Sequence, residues 1–263
     1  MMQQFPVDTI RLYETLTLNT APTLHEDEID GWRVRASGTD TRRSNSATFL
    51  HPTASAALGG TVDATIDAVE AWFAAKQQAA VFRLTKALSP PGMDARLAER
   101  GYQYAFDCHF MTRPLVGYGS AALPEALRIR EVSLVEGTSL LHTLKKMDAD
   151  KASTELARQQ LWQGRQRFLI LQVDGVLAAI GLGRIEMGHL GIFSMHTVDV
   201  FRGRGYAQLV VEALCAWGAA VGAHTAFLQV EADNAPALSL YKRAGFVAAY
   251  SYWHRIKGSG SSA

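Results

Sequence analysis

A chain of 263 residues, 48% hydrophobic and 19% charged, carries enough apolar mass for a sizeable core and too little charge for a disordered coil. Its 26 basic and 25 acidic residues leave a net charge of +1, which argues against a general nucleic-acid binder, since such a protein needs a broadly basic face. The length allows one or two domains. Two cysteines, Cys108 and Cys215, make neither a disulfide framework nor a zinc pattern and suit a reducing, cytoplasmic setting. Cys215 stands among Leu214, Ala216 and Trp217 and reads as a buried, inert thiol. The start, MMQQFPVDT, lacks the basic region and apolar run of a leader. The most apolar segment, Leu209 to Leu228, is broken by Glu212, His224 and glycines, so helix, turn and strand are expected there rather than a membrane span.

In chain order, residues 5–20 read as a helix carrying Ile10, Leu12, Leu16 and Leu18. Gly31–Ala36 and Ser46–Leu50 read as a hairpin across a polar turn at 38–45. Gly59-Gly60 precede a helix over Val62–Gln78, with Ile66, Val69, Ala71 and Trp72 as its apolar face. A strand over Ala80–Thr85, a helix from Pro90 to Arg100 and an aromatic-rich strand over Tyr102–Thr112 complete a first half. The segment around 116–126 is rich in Gly, Ser and Pro and reads as a linker.

The second half opens with a strand at Leu127–Val132, followed by helical stretches from Leu134 to Gln163. Strands over Phe168–Val173 and Val176–Ile185 flank Asp174-Gly175, a strong type I′ hairpin signal. Leu190–Val198 is a strand leading into FRGRGYAQ, residues 201–208, which opens an amphipathic helix over Tyr206–Val221. A strand over Thr225–Glu231 leads to Asn234, a good N-cap, and a helix that stops at Gly245. The last six residues, GSGSSA, form a polar tail. A shift of 145 positions lays Trp72 on Trp217, Phe82 on Phe227 and Gly60 on Gly205. With one residue of slack, Gly101-Tyr102 meets Gly245-Phe246. We read this as an internal duplication giving two similar domains.

The chemistry concentrates at Phe201–Gln208. Gly203 and Gly205 let backbone N–H groups converge, and the following helix adds unpaired donors and the positive end of its dipole, which together make an anion cradle. Neither the dinucleotide pattern, which needs a third glycine where Gln208 stands, nor a P-loop ending in G-K-[ST] fits. By itself the loop reads equally as a glycine-rich turn with arginines facing water.

R-x-x-G-x-A, from Arg202 through Gly205 to Ala207, resembles the acetyl-CoA loop of the GNAT superfamily of N-acetyltransferases. Downstream, Asn234, Ala237, Leu240, Tyr241, Gly245 and Phe246 match that family's N-x-x-A-x-x-L-Y-x-x-x-G-F motif. The resemblance covers roughly the second half. It implies an α/β (α+β) fold of two GNAT-like domains, each a mixed, mostly antiparallel twisted sheet flanked by helices. The expected boundaries are 1–115 for a degenerate first domain, 116–126 for the linker, 127–257 for the catalytic domain and 258–263 for the tail. The first half has SAALGGTV where the second has FRGRGYAQ, and Leu97 where Tyr241 stands, so no second cofactor is expected there.

The same resemblance implies acetyl-CoA as cofactor and a primary amine as acceptor, a small molecule ahead of a peptide, attacking directly in a ternary complex. Backbone at Arg202, Gly203, Arg204, Gly205, Tyr206, Ala207 and Gln208 would hold the pyrophosphate. Met195, Thr197 and Val198 would pair with the pantetheine arm, and Asn234 would contact that arm or only cap its helix. Where many members have proline in this strand, Asp199 stands here. Tyr241 is the expected proton donor to the thiolate. The base stays open: some relatives carry glutamate where Gln229 stands, leaving Glu231, His196 or a water relayed from Glu231. His189, His224 and His254 show no ligand spacing, and no metal is expected. Neither nucleic acid nor membrane is expected as a partner, and monomer and homodimer both remain open. The same cradle without turnover would make an acyl-CoA-binding sensor or a partner-binding module.

Overall fold

A computed structural model describes residues 5–38, 42–51, 61–117 and 126–257. Gly59-Gly60 and their match to Gly205, residues 39–41 of the polar turn, the middle of the linker and the tail lie outside the described residues. Compact packing divides the chain into two units that interleave along the sequence. One takes the segments up to His109, Glu231–Asp233 and Tyr250 onward; the other takes Phe110–Val230 and Asn234–Ala249.

In the first unit, helix α1 (Val7–Thr20) precedes strands β1 (His25–Ile29), β2 (Trp32–Ala36) and β3 (Ala47–Phe49). Helix α2 (Val62–Ala74) crosses to β4 (Val81–Thr85), and α3 (Met93–Glu99) follows. β1, β2 and β3 pair antiparallel, β3 runs parallel to β4, and β4 pairs antiparallel with the C-terminal strand β11 (Val247–Lys257) through Tyr252–Ile256. Trp32, Phe73, Phe82, Leu84 and Leu97 fill the apolar core.

The opposite face is polar. Glu14 of α1 and Arg83 of β4 are both fully buried and bonded, with Arg83 Nε 2.7 Å from Glu14 Oε2 and Nη2 2.8 Å from Oε1. The Tyr250 hydroxyl donates to Glu14 at 2.6 Å. The Arg83 guanidinium lies 3.4 Å over the Tyr252 ring. Burial opposes the Arg83 charge, but Glu14 outweighs it and holds the guanidinium's pKa above its ordinary value.

His254, two residues beyond Tyr252, is 2% exposed and its pKa is pushed down to about 3 by burial, with Arg83 and Arg42 adding to the fall. The unfolded chain takes up a proton at this ring below about pH 6.5, while the folded chain does not until near pH 3, so stability falls as pH falls across that window. Below pH 6.5 the expected loss from this ring alone steepens toward about 1.4 kcal/mol per pH unit. Urea midpoints across that range check it: His254→Gln should flatten the slope, and an unchanged slope would contradict the assignment.

In the second unit, β6 (Leu127–Val132) leads to α4 (Leu134–Lys145) and α5 (Ala149–Gln160). Ser133 and Asp148 cap these helices by accepting from the amides of Glu136 and Lys151. β7 (Gln166–Val173), β8 (Val176–Glu186) and β9 (His189–Thr197) pair antiparallel in turn with β6. β10 (Thr225–Glu231) runs parallel to β9, with α6 (Tyr206–Ala220) between them in sequence and α7 (Ala235–Arg243) after. β5 (Tyr102–Pro114) passes from one unit into the other. The core gathers Leu171, Ile192, Val211, Leu214, Cys215 and Phe246. Both units thus repeat one order: antiparallel strands, a helix inside a parallel pair, then a short helix and a long strand.

The expected pairing of Gly31–Ala36 with Ser46–Leu50 is present as β2 and β3; one strand was not anticipated and two expectations needed correction. β1 adds a hairpin with β2 across Asp30-Gly31, both at positive φ (47° and 79°) as at Asp174-Gly175. The sequence of β1, HEDEI, is exposed up to a half-buried Ile29, so no apolar alternation marked it. On α2 the core contact is Phe73; Ala71 is exposed and Trp72 is half-buried, with Lys76 Nζ 3.8 Å over its ring. The helix expected from Pro90 begins only at Met93, after Gly92 at φ 79°.

Candidate active site

The site lies within the second unit. β8 and β9 slip register: Ile180 faces His196 and Leu182 faces Phe193, so Ser194 and Met195 together oppose Gly181. Ser194 takes φ 54°, as a bulge requires. Gly181 must stay small, since a Cβ there would fall 2.5 Å from Met195 Sδ and 2.9 Å from Val210 Cγ1. β9 pairs with β10 only through His189–Gly191, opposite Thr225–Phe227. Beyond those three pairs the two strands no longer bond to each other.

The chain then turns. Val198 donates to Ala178 at 2.9 Å, and a single 3-10 turn, Asp199–Phe201, closes with the Arg202 amide on the Asp199 carbonyl at 3.1 Å. Asp199, standing where many GNAT members have proline, pairs with Arg202 at 2.7 Å on the surface. Gly203 and Gly205 sit at φ 75° and 81°, a left-handed conformation that side-chain-bearing residues adopt only with strain. Nothing lies within 4 Å of where a Cβ would stand on either glycine.

Residues 202–205 are exposed. The first helical amides to find partners are Gln208 and Leu209, both on the Gly205 carbonyl, at 3.0 and 3.3 Å. Among the described residues, no acceptor takes the amides of Gly203, Arg204, Gly205, Tyr206 or Ala207. Five N–H groups at an exposed bend, at the positive end of a 15-residue helix, are suited to a phosphate chain.

α7 is fixed at both ends. Asn234 Oδ1 accepts from the Ala237 amide at 3.1 Å. At the other end Gly245 adopts φ 79°, the Phe246 amide bonds the Tyr241 carbonyl at 2.9 Å and the Gly245 amide bonds Lys242 at 3.0 Å, a Schellman ending. The G-F of the motif is therefore structural: glycine supplies the left-handed residue, and the buried Phe246 ring packs 6.2 Å from Tyr241.

A cavity of about 540 Å³ opens between these parts. Met195, His196 and Thr197 line it from β9; Arg202, Gly203, Gly205, Tyr206 and Ala207 line it from the bend; Asn234 and Tyr241 line it from the second motif. Val198, Arg204 and Gln208 do not reach it. Glu231 belongs to the other compact unit, where it pairs with Arg42 at 3.2 Å. Sequence reasoning left out Phe201, Pro236, Ser239 and Arg243, which also line the cavity. Helical spacing is the signal that could have found them: Ser239 and Arg243 are four apart on α7, with Arg243 Nη1 donating to Ser239 Oγ at 2.6 Å.

Tyr241 is 9% exposed, its ring side packed in the core. Burial lowers the His196 pKa below its ordinary value, and the charges of Lys145 and Arg202 push it the same way, so the ring is neutral near pH 7 and can accept a proton. Cys215 is buried, its pKa pushed up to about 12 by burial, and Cys108 is raised likewise, which leaves both as unreactive thiols. His189 and His224 meet with ring centroids 4.4 Å apart, but no group of three or more His, Cys, Asp or Glu that could hold a metal occurs among the described residues. Nor is any helix among the described residues long and apolar enough to cross a membrane.

Residues 138–246 match the acetyltransferase (GNAT) family, and residues 8–113 match the family described as probable histone acetyltransferase Rv0428c C-terminal. An uncharacterized N-acetyltransferase of Bacillus subtilis (strain 168), YobR, is 26% identical over 269 residues, spanning 95% of this chain and 100% of that protein. Among solved structures, a GCN5-related N-acetyltransferase from Kribbella flavida aligns at TM-score 0.71 and 16% identity over 97% of this chain and 96% of that one. A tandem GNAT protein from the clavulanic acid biosynthesis pathway aligns at TM-score 0.65 and 15% identity over 88% of this chain and 79% of that one. At such identities the structures speak for the fold alone. With the bend, the splayed strands and the Schellman-ended motif helix in place, residues 138–246 are the part of the chain that matches the acetyltransferase (GNAT) family.

Proposed function

We propose that the second half, residues 127–257, moves an acetyl group from acetyl-CoA to a primary amine by direct attack in a ternary complex, with a small-molecule amine as acceptor ahead of a peptide. The observation that carries this reading is the exposed bend whose five amides have no protein acceptor, beside a cavity of about 540 Å³ that Tyr241 lines. The residues fit the family's cofactor: open space at both glycines admits a pyrophosphate, and the unbonded reaches of β9 and β10 leave a strand edge for an amide-bearing arm. When bound, acetyl-CoA supplies an activated thioester acetyl group.

The chain's own residues then have three tasks. The amides of Gly203–Ala207 bind negative charge without desolvating a side chain. The edge of β9 at Met195–Val198 orients. Tyr241 holds a proton at Oη, where a departing sulfur can take it, and its depth in the cavity limits competition from water. The acceptor amine must arrive neutral; His196, neutral and on the cavity wall, is our choice of base, ahead of Glu231, whose carboxylate is engaged with Arg42. No covalent enzyme intermediate is needed.

Free coenzyme A, followed by thiol titration while a library of small amines and a lysine-containing peptide is added, tests the reading. Amine-dependent release, faster with a small amine than with the peptide, is expected. Tight acetyl-CoA binding with no release on any amine would instead make the chain an acyl-CoA sensor.

A further inference from the structure

The polar face of the first unit holds more donors than the protein uses. Register aligns Thr48 of β3 with Arg83 of β4 and Arg83 with His254 of β11, so the three side chains stand in a row on one face. Thr48 Oγ1, Ser46 Oγ and both ring nitrogens of His254 are buried without a hydrogen bond of acceptable geometry, although the Phe106 carbonyl lies beside the His254 ring. Orphaned buried polar groups are rare in native proteins, and a cluster of them marks a place where something polar belongs.

Charge says what that is. Arg83 is matched by Glu14, and Arg42, stacked 2.9 Å over the Phe106 ring, is matched by Glu231. Arg43, on the single turn Arg42–Ser44 just before Ser46, is half-buried and close enough to act on Cys108, Tyr252 and His254. No carboxylate pairs with it among the described residues. Among the described residues, one positive charge is therefore left over beside two unused hydroxyl donors and the His254 ring. Phe106, at φ 54° in β5, breaks the regular strand where Arg42 stacks and is 39% exposed, so this rim is open to solvent.

We propose that this face of the first unit is a binding site for a single carboxylate, with Arg43 as its ion-pair partner and the Ser46 and Thr48 hydroxyls and the His254 ring N–H as its donors. A monoanion balances the leftover charge. A phosphate dianion would bring one negative charge too many while Glu231 stays in place. The His254 imidazole is neutral and so offers one N–H rather than a second positive charge.

The test is a titration of the full chain with propionate, with propionamide as the neutral isostere and inorganic phosphate as the dianion, all at fixed ionic strength. The readout is the His254 ring resonance. Saturable shifts with propionate, none with propionamide and at least tenfold weaker binding of phosphate are expected. Arg43→Gln should weaken propionate at least tenfold. Thr48→Val, which keeps the shape of the side chain, should weaken it several-fold with an unchanged unfolding midpoint. No saturable shift with propionate, equal shifts with propionamide, phosphate binding as tight as propionate, or full affinity in both variants would overturn the site and leave water as its occupant.

Discussion

Tyr241→Phe is expected to lower kcat by about 100-fold or more, within the range typical of a lost general acid, while changing acetyl-CoA affinity less than about twofold. The substitution removes one oxygen. The ring keeps its place against Phe246 and its contacts in the core, so the cavity wall and the bend at Gly203–Ala207 are untouched. A 100-fold loss corresponds to about 2.7 kcal/mol of transition-state stabilisation. Binding and turnover should therefore separate: isothermal titration shows a normal cofactor site, and single-turnover rates show the loss. Intact turnover in the phenylalanine variant would remove Tyr241 from the chemistry and leave it a core residue.

Glu14→Ala should produce the largest loss of stability. Glu14 and Arg83 have side chains 0% and 1% exposed, and the carboxylate also accepts from Tyr250. Removing it strands a guanidinium in the interior beneath α1. Breaking a buried pair from one side costs about 3–5 kcal/mol. For a chain of this size that lowers the unfolding midpoint by about 10 °C or more. The double variant Glu14→Met/Arg83→Met replaces both charges with apolar volume and should be more stable than Glu14→Ala alone. A single variant as stable as the parent would mean that water reaches the pair.

The contrast between the two halves explains what the sequence could disclose. Asp174-Gly175 and the strands around it follow alternation and turn chemistry, and they stand where expected. The loop and the Asn234–Phe246 helix are set by backbone geometry, which glycines and a capping residue announce. β11 gave no comparable sign. Its buried side presents Tyr250, Tyr252 and His254, because the layer beneath α1 is built on the Glu14–Arg83 pair rather than on hydrocarbon. A strand whose inner face is polar has no period to read. Glu231 shows a second limit: the sequence offered it as a base, but only the three-dimensional arrangement brings Arg42 to its carboxylate, 189 residues away in sequence.

The central claim is that main-chain amides ahead of Tyr206 hold the phosphates of the acyl carrier. An amide-resolved magnetic resonance titration of the full chain with coenzyme A tests it most directly. The account predicts saturable shifts that are largest at Gly203, Arg204, Gly205, Tyr206 and Ala207, the amides without a protein acceptor. Saturable binding that moves amides elsewhere and leaves these five unperturbed would contradict it.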